Sequence, residues 1–590
     1  MSRTVIDPVT RAGGQLRIEA DTSAGAVTHA WVSATMFRGI ERVLVGRDPR
    51  DAWLMAQRVC GTCTGVHALA SVRAVENALG IVIPRNARLI RNVMAGTLLV
   101  RDHAMVLYQR ALPDWVDFKA AAAADPVEAS RLAKAASAWP NSGSEHLKAV
   151  RDRIAGVIDS GQPGPFGGDW WGHPAYAISP EQSLVLVSHM LDALDWQRDF
   201  MRIEALLGGK DPHPQTYLVG GMSLAPPWGG PAASKSRQHP QVPDHNAPLA
   251  LSTEGLDLVG ALIADARKFV EQVLVPDTLV IAAAYPEYAT LGGGSTSFLS
   301  FGEYPQDEAK SPTRLMPNGR LVGGRLQASL PADESGVSES VLHSWYAYSN
   351  GDDALRRPFE GELNPQYTGS VPLKALDTAG KYSWIKAARY DGIVTETGPL
   401  ARVLVGAANG QNETRLALAK ILEQTGLPQE ALESTIGRFL ARAVEAQVMV
   451  RQLDGWVWGL RTNLSTGDVA IASVEMWDQA SWPSEADGHS IGEGPRGSVG
   501  HWMSIKDGRV SRYQIVDGST FNASPRDALS QAGPLEIALV GAPVADPARP
   551  VELMRIVHSL APCAACAAHV ISNHAGTGPV LRVHAAEAVR

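Results

Sequence analysis

Two short stretches near opposite ends of the chain each contain a Cys-x-x-Cys motif: RVCGTCTGVH at residues 58–67 and PCAACAAH at residues 562–569. A Cys-x-x-Cys turn lets two thiolates face one metal ion. Two such turns therefore supply four soft ligands, which zinc, iron and nickel all accept. The motifs lie roughly 500 residues apart, so a shared site would bring the two ends of the chain together. The four cysteines are Cys60, Cys63, Cys563 and Cys566.

These four are the only cysteines in the sequence, so none is left for a disulfide framework. A structural zinc site is one interpretation of four thiolates. However, the two pairs of a zinc ribbon are usually only about 15–20 residues apart, and closing a much longer loop costs chain entropy. A chain of this size also has enough core to fold without zinc. The residues alone therefore predict a metal or redox site that holds zinc, iron or nickel.

Composition limits the class of protein. The chain has 590 residues, which predicts several packed lobes, and its 45% hydrophobic and 19% charged residues are typical of a folded protein. The net charge of -8 argues against nucleic acid as the main partner, because phosphate binding needs a basic face. No apolar run reaches the roughly 18 residues of a membrane helix. The first residues, MSRTVIDPVTRAGGQL, lack the apolar segment of a signal peptide.

The hydrophobic pattern changes along the chain. Alternation over residues 11–33 predicts strands, helical spacing dominates residues 87–210, and a segment rich in Gly, Ser and aromatic residues (291–376) predicts short strands. We therefore predict a large central helical body with flanking α+β lobes. The expected divisions are an N-terminal α+β lobe with the first cysteine pair (1–85), the helical body (86–285), an irregular strand and loop lobe (286–400), a helical segment (401–465), a C-terminal α+β lobe with the second pair (466–569) and a tail (570–590).

The two cysteine stretches resemble the metal-binding signatures of nickel-iron hydrogenase large subunits, and the similarity covers essentially the whole chain. It is greatest to the membrane-bound uptake type. It implies the large-subunit fold of that family and reversible splitting of H2 into protons and electrons. Further segments resemble the family in the family order: FRGIERVLVGRDPRDAW, PDWVDF, GPRGSVGHW, STFNASPRD and PVELMRIVHSL.

The resemblance implies a centre of one nickel and one iron, with CO and two cyanides on the iron. By similarity, Cys60 and Cys563 would be terminal nickel ligands, and Cys63 and Cys566 would bridge the two metals. Thiolates are strong donors that stabilise higher nickel oxidation states. A terminal thiolate such as that of Cys563 can also take up a proton when H2 splits heterolytically.

Three residues around the metals have implied roles. Arg496 would hang over the metals, and Asp102 would pair with its guanidinium and orient it; the alternatives are a surface arginine and a solvated aspartate. His67 would donate a hydrogen bond to a bridging sulfur; its alternative is an ordinary core histidine. Arg496, Cys563 and Asp102 are the expected catalytic residues. The expected cyanide-binding groups are Ser519 or Thr520 for one cyanide and the Pro495–Arg496 region for the other.

A second ion and a cleavage are also implied. Glu41, the carbonyl of Ile515 and His569 resemble the ligands of a hard divalent ion, usually magnesium, with room for waters; a plain Glu–His ion pair is the alternative. A maturation protease would cut after His569 and remove residues 570–590.

Two positions depart from the family. The family motif Arg-Ile-Glu-Gly-His corresponds here to Arg-Ala-Gly-Gly-Gln at residues 11–15, so Gly13 replaces a glutamate that takes protons from a terminal cysteine. Ala561 replaces an aspartate that helps to hold the arginine. Restoring Glu at position 13 is expected to speed hydrogen–deuterium exchange if the relay is missing. The alternative function is an H2-sensing or low-activity subunit.

The cysteine count also predicts a partner. Because no cysteine remains for iron-sulfur clusters, electrons would leave through a separate cluster-bearing small subunit. By resemblance this partner would carry the export signal and pass electrons to a membrane cytochrome b or quinone. We expect the pair on the periplasmic side of the membrane, with the cytoplasm as the alternative location.

Overall fold

The computed structural model describes residues 2–162, 171–224, 249–307, 312–327 and 329–567. Its N-terminal part is an antiparallel sheet in the order β1-β2-β3, followed by short helices that lead to the first cysteine pair. A 3-10 turn, Gln57–Val59, ends at Cys60. The elements are β1 (Ser2–Ile6), β2 (Leu16–Ser23), β3 (Ala26–Ala34), α1 (Ile40–Leu44), α2 (Ala52–Ala56) and α3 (Thr64–Leu79).

The next part is mostly helical, as the spacing of apolar residues predicted. A π-helical segment, Val106–Ala111, joins α4 to α5, and another, Val270–Leu274, joins α11 to α12. A short hairpin pairs β4 (Tyr217–Leu218) with β5 (Gly221–Met222). The helices are α4 (Arg85–Met105), α5 (Leu112–Trp115), α6 (Phe118–Ala122), α7 (Pro126–Ala136), α8 (Ser144–Asp159), α9 (Pro180–Phe200), α10 (Arg202–Gly208), α11 (Thr253–Phe269) and α12 (Val275–Ala284).

Short strands and two helices follow. Glycine and turn residues keep these strands to two to four residues, and they pair in small sheets. The strands are β6 (Phe298–Ser300), β7 (Glu303–Pro305), β8 (Arg314–Met316), β9 (Gly319–Leu321), β10 (Val337–Ser340), β11 (Tyr346–Tyr348), β12 (Leu363–Pro365), β13 (Ala387–Tyr390) and β14 (Glu396–Thr397). The helices are α13 (Pro399–Ala408) and α14 (Asn412–Thr425).

A 31-residue helix, α15 (Thr435–Ser465), packs along α4 and forms the centre of the helical body. Ser434 caps its first turn by accepting a hydrogen bond from the Gly437 amide at 3.1 Å. Gly96 of α4 allows the close approach, because a Cβ there would lie 2.7 Å from the Met449 sulfur. The helical segment expected at 401–465 therefore packs directly onto the helical body.

The last part is a three-stranded antiparallel meander followed by helices. The residues between β15 and β16 form a two-residue hairpin turn, Pro495 and Arg496. Helix α3 packs on this sheet, which brings the first cysteine pair next to the turn. The elements are β15 (Glu485–Gly494), β16 (Gly497–Lys506), β17 (Arg509–Val516), α16 (Gly518–Asn522), α17 (Pro534–Leu539), α18 (Val551–Leu560) and α19 (Ala564–Ala567).

One apolar cluster extends from Val9 to Ala567 through the described residues. The predicted fold class, a helical body with flanking α+β lobes, is confirmed. We propose that the lobe boundaries expected from the sequence mark changes of secondary structure within one continuous core. Among the described residues, no helix combines the length and the apolar character needed to cross a membrane.

A buried carboxyl group predicts how stability depends on pH. The Val32 amide (3.1 Å) and the Tyr382 hydroxyl (2.8 Å) donate to Glu536, and burial raises the pKa of Glu536 from 4.5 to about 7. The folded state then binds the proton more tightly than the unfolded state. The contribution of Glu536 is therefore complete below about pH 4.5 and is lost as pH rises through 7, by up to about 1.4 kcal/mol per pH unit.

We expect Glu536→Gln to flatten this decline in the free energy of unfolding between pH 5 and 7.5, as measured by denaturant titration. The exposed Glu485→Gln variant is the control and should keep the wild-type slope. An unchanged slope in Glu536→Gln would contradict the prediction.

Candidate metal centre

Four cysteine sulfurs from the two ends of the chain meet in the interior. The Sγ–Sγ distances are 3.7 Å for Cys60–Cys563, 3.4 Å for Cys63–Cys566 and 2.7 Å for Cys563–Cys566. All four residues are buried and none is in a disulfide. Two sulfurs bound at about 2.3 Å to one tetrahedral metal would lie about 3.8 Å apart, so the pairs that cross between the two motifs have the spacing of metal ligands.

Backbone geometry directs the first pair inward. The amides of Thr62 and Cys63 both donate to Cys60 Sγ at 3.3 Å, so the turn itself orients this sulfur. Cys63 stands at the N-terminus of α3. In the second motif, the Cys566 amide donates to the Cys563 carbonyl at 3.0 Å in the turn that opens α19.

The protonation of the thiols indicates that the group needs a cation. Hydrogen bonds among the thiols, chiefly with Cys563, lower the pKa of Cys60 well below its usual value and raise that of Cys63 well above it. Burial raises the pKa of Cys566. Without a metal the sulfurs therefore share protons, because four adjacent thiolates would repel one another. A bound cation removes this repulsion and releases the protons, so the residues fit a thiolate-bound metal.

Gly13 lies directly against Cys563. The two residues form a parallel β-bridge, with the Gly13 amide 3.4 Å from the Pro562 carbonyl and the Ala565 amide 3.1 Å from the Gly13 carbonyl. A Cβ at position 13 would lie 2.8 Å from Cys563 Sγ. A glutamate at position 13 would therefore require the Cys563 side chain or the backbone beside it to shift.

Arg496 reaches the cysteines from the hairpin turn. Its Nη2 donates to Asp102 Oδ1 at 2.6 Å and to the Thr62 hydroxyl at 2.9 Å, and its Nε donates to Asp102 Oδ2 at 3.2 Å. Although burial opposes its charge, Asp102 and the cysteine sulfurs raise the pKa of Arg496. The sequence did not predict the role of Thr62, although its place inside the first cysteine motif was a usable indication.

Two further buried residues bear on the site, Ala561 before the second cysteine motif and Arg110 near Arg496. Ala561 is buried after α18 with φ of 48°, a conformation that Asp and Asn adopt more readily than Ala. Arg110 is buried, and its Nη1 has no partner among the described residues. Burial and the neighbouring Arg496 lower the pKa of Arg110. Sequence reasoning missed Arg110, because a single arginine inside a helical stretch carries no motif.

A cavity opens beside the sulfurs of Cys63, Cys563 and Cys566. It is lined by Pro495 and Arg496 of the hairpin turn, by Val66 and Val499, and by Ser519. The Ser519 hydroxyl accepts a hydrogen bond from the Cys563 amide at 2.9 Å and can still donate its own proton. The Thr520 hydroxyl instead donates to Asp517 at 2.7 Å in the cap of α16. Of the two hydroxyls considered for the same role, only that of Ser519 lines the cavity.

His67 also lines the cavity. Its ring forms a hydrogen bond with a second histidine, His501, whereas the sequence predicted a bond to a bridging sulfur. His67 Nδ1 lies 3.1 Å from His501 Nε2, and His501 Nδ1 lies 2.8 Å from the Tyr513 hydroxyl. Burial lowers the pKa of His67 to about 4, so the imidazole is neutral near pH 7. Sequence reasoning missed His501 and Tyr513. The GHW segment contains this histidine, but its pairing with His67 depends on how α3 packs on the sheet.

Glu41 contacts the backbone of Ile515 at the end of β17. Glu41 Oε1 accepts a hydrogen bond from the Ile515 amide at 2.7 Å, and burial raises the pKa of Glu41 to about 7. The Lys386 ammonium lies 4.0 Å from Glu41 and 2.7 Å from Glu339. One ammonium cannot balance the charge of two ionised carboxylates, so a bound cation would be favourable here. The third expected ligand, His569, and the tail 570–590 lie outside the described residues.

The geometry defines a metalloprotein whose buried thiolate centre joins the two ends of the chain beside an arginine-covered cavity. A family model described as nickel-dependent hydrogenase matches residues 38–569. The chain belongs to this family, whose members are oxidoreductases that act on hydrogen, and it is a large subunit of the uptake type. The resemblance seen in the sequence is thereby confirmed.

Named relatives agree with this assignment. The Hydrogenase-1 large chains of Citrobacter freundii and Escherichia coli (strain K12) are both 40% identical, over 97% of this chain and 95% of theirs. The uptake hydrogenase large subunit of Bradyrhizobium diazoefficiens has the same identity and coverage. A structure of the Ni-Fe-Se hydrogenase from D. vulgaris Hildenborough matches with a TM-score of 0.74 and 29% identity, over 96% of this chain and 100% of that one.

The Arg496–Asp102 pair gives a testable effect. Removing one partner of a buried ion pair leaves an uncompensated charge and costs about 3–5 kcal/mol. We expect Asp102→Asn, which keeps the shape of the side chain, to lower the free energy of unfolding by about 3 kcal/mol in a denaturant titration. The control is Glu485→Gln, which breaks the exposed pair with Lys506 and should leave stability nearly unchanged. Equal stability of the two variants would contradict the prediction.

The contact of Gly13 with Cys563 gives a second testable prediction, on metal content. In Gly13→Ala the added Cβ overpacks the site and pushes the sulfur away, at a cost of about 1–3 kcal/mol. We expect purified Gly13→Ala protein to contain less metal than the wild type by elemental analysis. Gly143→Ala is the matched control, because a Cβ there meets no atom within 4 Å. Full metal content in Gly13→Ala would show that Cys563 tolerates the side chain.

Proposed function

We propose that the chain oxidises H2 reversibly at a nickel-iron centre held by Cys60, Cys63, Cys563 and Cys566. The observation that supports this most directly is the meeting of four buried sulfurs from both chain ends beside a cavity covered by Arg496. A structural zinc site is usually closed by its four ligands, whereas this sulfur group has a cavity on one side.

The roles of the sulfurs follow the resemblance: Cys60 and Cys563 as terminal nickel ligands, Cys63 and Cys566 as bridges to iron. When bound, nickel and iron with CO and two cyanides supply the site at which the H–H bond is polarised and electrons are taken up. The chain supplies the rest. The Cys563 thiolate can accept the proton, and Asp102 holds the Arg496 guanidinium charged above the sulfurs.

The cavity walls suit the iron ligands. The Ser519 hydroxyl and the backbone of the Pro495–Arg496 turn can donate to the two cyanides. Val66 and Val499 present apolar surface for CO. The buried walls exclude bulk water, which strengthens each of these hydrogen bonds.

The electrons need a partner. All four cysteines of the sequence lie in the thiol group, so the chain holds no ligands for iron-sulfur clusters. We propose a cluster-bearing small subunit that takes the electrons, guides export of the pair to the periplasmic side of the membrane, and passes electrons to a cytochrome b or quinone.

Two further features belong to this proposal. Glu41, the Ile515 carbonyl and His569 would hold a divalent ion such as magnesium near the end of the mature chain, where Glu339 adds negative charge that is only partly balanced by Lys386. A maturation protease would remove residues 570–590 after His569.

A second candidate function is an H2-sensing or low-activity subunit with the same centre. Gly13 favours it, because the position next to Cys563 has no side chain to carry protons. Ala561 favours it as well, because Arg496 lacks a second acidic partner there.

Infrared spectroscopy and metal analysis of the purified heterodimer test the proposal. We expect bands in the CO and cyanide stretching regions, nickel and iron in equal amounts, and transfer of electrons from H2 to a dye. In Cys566→Ser the bands should disappear, while Ala565→Ser, which keeps all four sulfurs, should retain them. Bands without electron transfer would favour the second candidate, and zinc without bands would contradict both.

A further inference from the structure

Three polar side chains connect the metal cavity to the protein surface. We propose that His67, His501 and Tyr513 form a proton path that carries protons from the thiolate cavity to a solvent-open groove. This inference rests on the proposed function, because it assigns the exit route of the protons that H2 oxidation releases.

The hydrogen bonds are continuous. His67 Nδ1 and His501 Nε2 are 3.1 Å apart, and His501 Nδ1 and the Tyr513 hydroxyl are 2.8 Å apart. All three side chains are buried, so bulk water does not interrupt the contacts. His501 uses a different ring nitrogen for each neighbour, which is the arrangement a proton needs to pass through the ring.

Secondary structure holds this alignment. His67 lies on α3, which packs on the sheet that carries His501 on β16 and Tyr513 on β17. His501 pairs with Ile515 and Met503 pairs with Tyr513, so His501 and Tyr513 are diagonal neighbours on one face of the sheet. The path therefore crosses rigid elements rather than loops.

The two ends of the path lie in different environments. His67 lines the cavity that contains the sulfurs of Cys63, Cys563 and Cys566. Tyr513 lines a groove of about 530 Å³ that opens to solvent and is also lined by Glu41 and Arg512. The chain of hydrogen bonds thus joins a residue of the metal cavity to a residue of the groove.

Two other polar side chains around the cavity lead to buried partners. Asp517 caps α16 through Thr520. Ser498 donates to Glu493, which pairs with the buried Arg402.

Asp114, which pairs with Arg11 next to the Gly13 loop, is also closed off. Both oxygens of Asp114 are occupied, one by Arg11 and the other by His558. The remaining nitrogen of His558 ends on the Thr10 carbonyl, which cannot pass a proton on. With no side chain at Gly13, the path through His67 offers a hydrogen-bonded route from the metal cavity to the groove.

The proton transfers balance. A proton from the cavity binds His67 Nε2, and the Nδ1 proton of His67 moves to His501 Nε2. The Nδ1 proton of His501 then moves to the Tyr513 oxygen as the hydroxyl proton of Tyr513 leaves to groove water. Each step forms one N–H or O–H bond and breaks another, and no electron moves. Return of both imidazoles to their starting tautomers prepares the next transfer.

Tyr513→Phe tests the path, because it keeps the ring and removes the hydroxyl. In the purified heterodimer we expect H2 oxidation to fall about tenfold, with a larger slowing in D2O than the wild type shows. The ratio of HD to H2 formed from D2 in H2O should change as protons leave more slowly. Metal content and the CO and cyanide bands should stay at wild-type values, because Tyr513 does not line the metal cavity.

His501→Gln should give the same pattern of slowed proton transfer, and the double variant should be no slower than the slower single one, because both changes break the same route. Tyr382→Phe is the matched control. It also loses a buried hydroxyl, which donates to Glu536 at 2.8 Å away from the path, and it should keep the wild-type rate and isotope effect.

Wild-type rates and isotope effects in Tyr513→Phe and His501→Gln would overturn the path. So would a loss of activity in Tyr513→Phe that comes with shifted bands or lost metal, because the residue would then be structural. Absence of H2 oxidation by the wild-type heterodimer is a separate result that contradicts the proposed function, and the path with it.

Discussion

The meeting of the two chain ends at Cys563 is the constraint on which the rest of the structure depends. Cys563 contacts Gly13 through backbone pairing and Cys60 through its sulfur, although roughly 500 residues separate the two cysteines. Closing a loop of this length costs entropy that grows only slowly with its size, and one continuous core supplies the burial that offsets it. Any change that separates these contacts opens both the metal centre and the core around it.

Buried charges surround this contact in pairs. Arg496 is held by Asp102, and Arg402 is held by Glu445 and Glu493, all inside the protein. Such pairs add little net stability, because desolvation cancels much of the attraction. Their effect here is to fix position: hydrogen bonds to Asp102 and Thr62 hold the guanidinium of Arg496 at the cavity that the cysteines also line.

Gly13 links the packing of the centre to its chemistry. The absence of a Cβ lets the N-terminal loop pair with the second cysteine motif, and the same absence removes an acid from the side of Cys563. A site built in this way has to move protons through other groups. The histidine and tyrosine chain between α3 and the sheet is rigid and continuous, and therefore suited to this use.

The sequence by itself predicted that the four cysteines meet, the family, the helical body and the pairing of Arg496 with Asp102, because each lies in a local motif or a periodic segment or in a segment that resembles the family. It did not determine that Ser519 rather than Thr520 lines the cavity, since the capping of α16 decides which hydroxyl is free to face it. Nor could it join His67 to His501 and Tyr513, or place Gly13 against Cys563. The contacts of His67 with His501 and of Gly13 with Cys563 link residues hundreds of positions apart, and only the packing of helix on sheet and of one chain end on the other brings them within hydrogen-bonding distance.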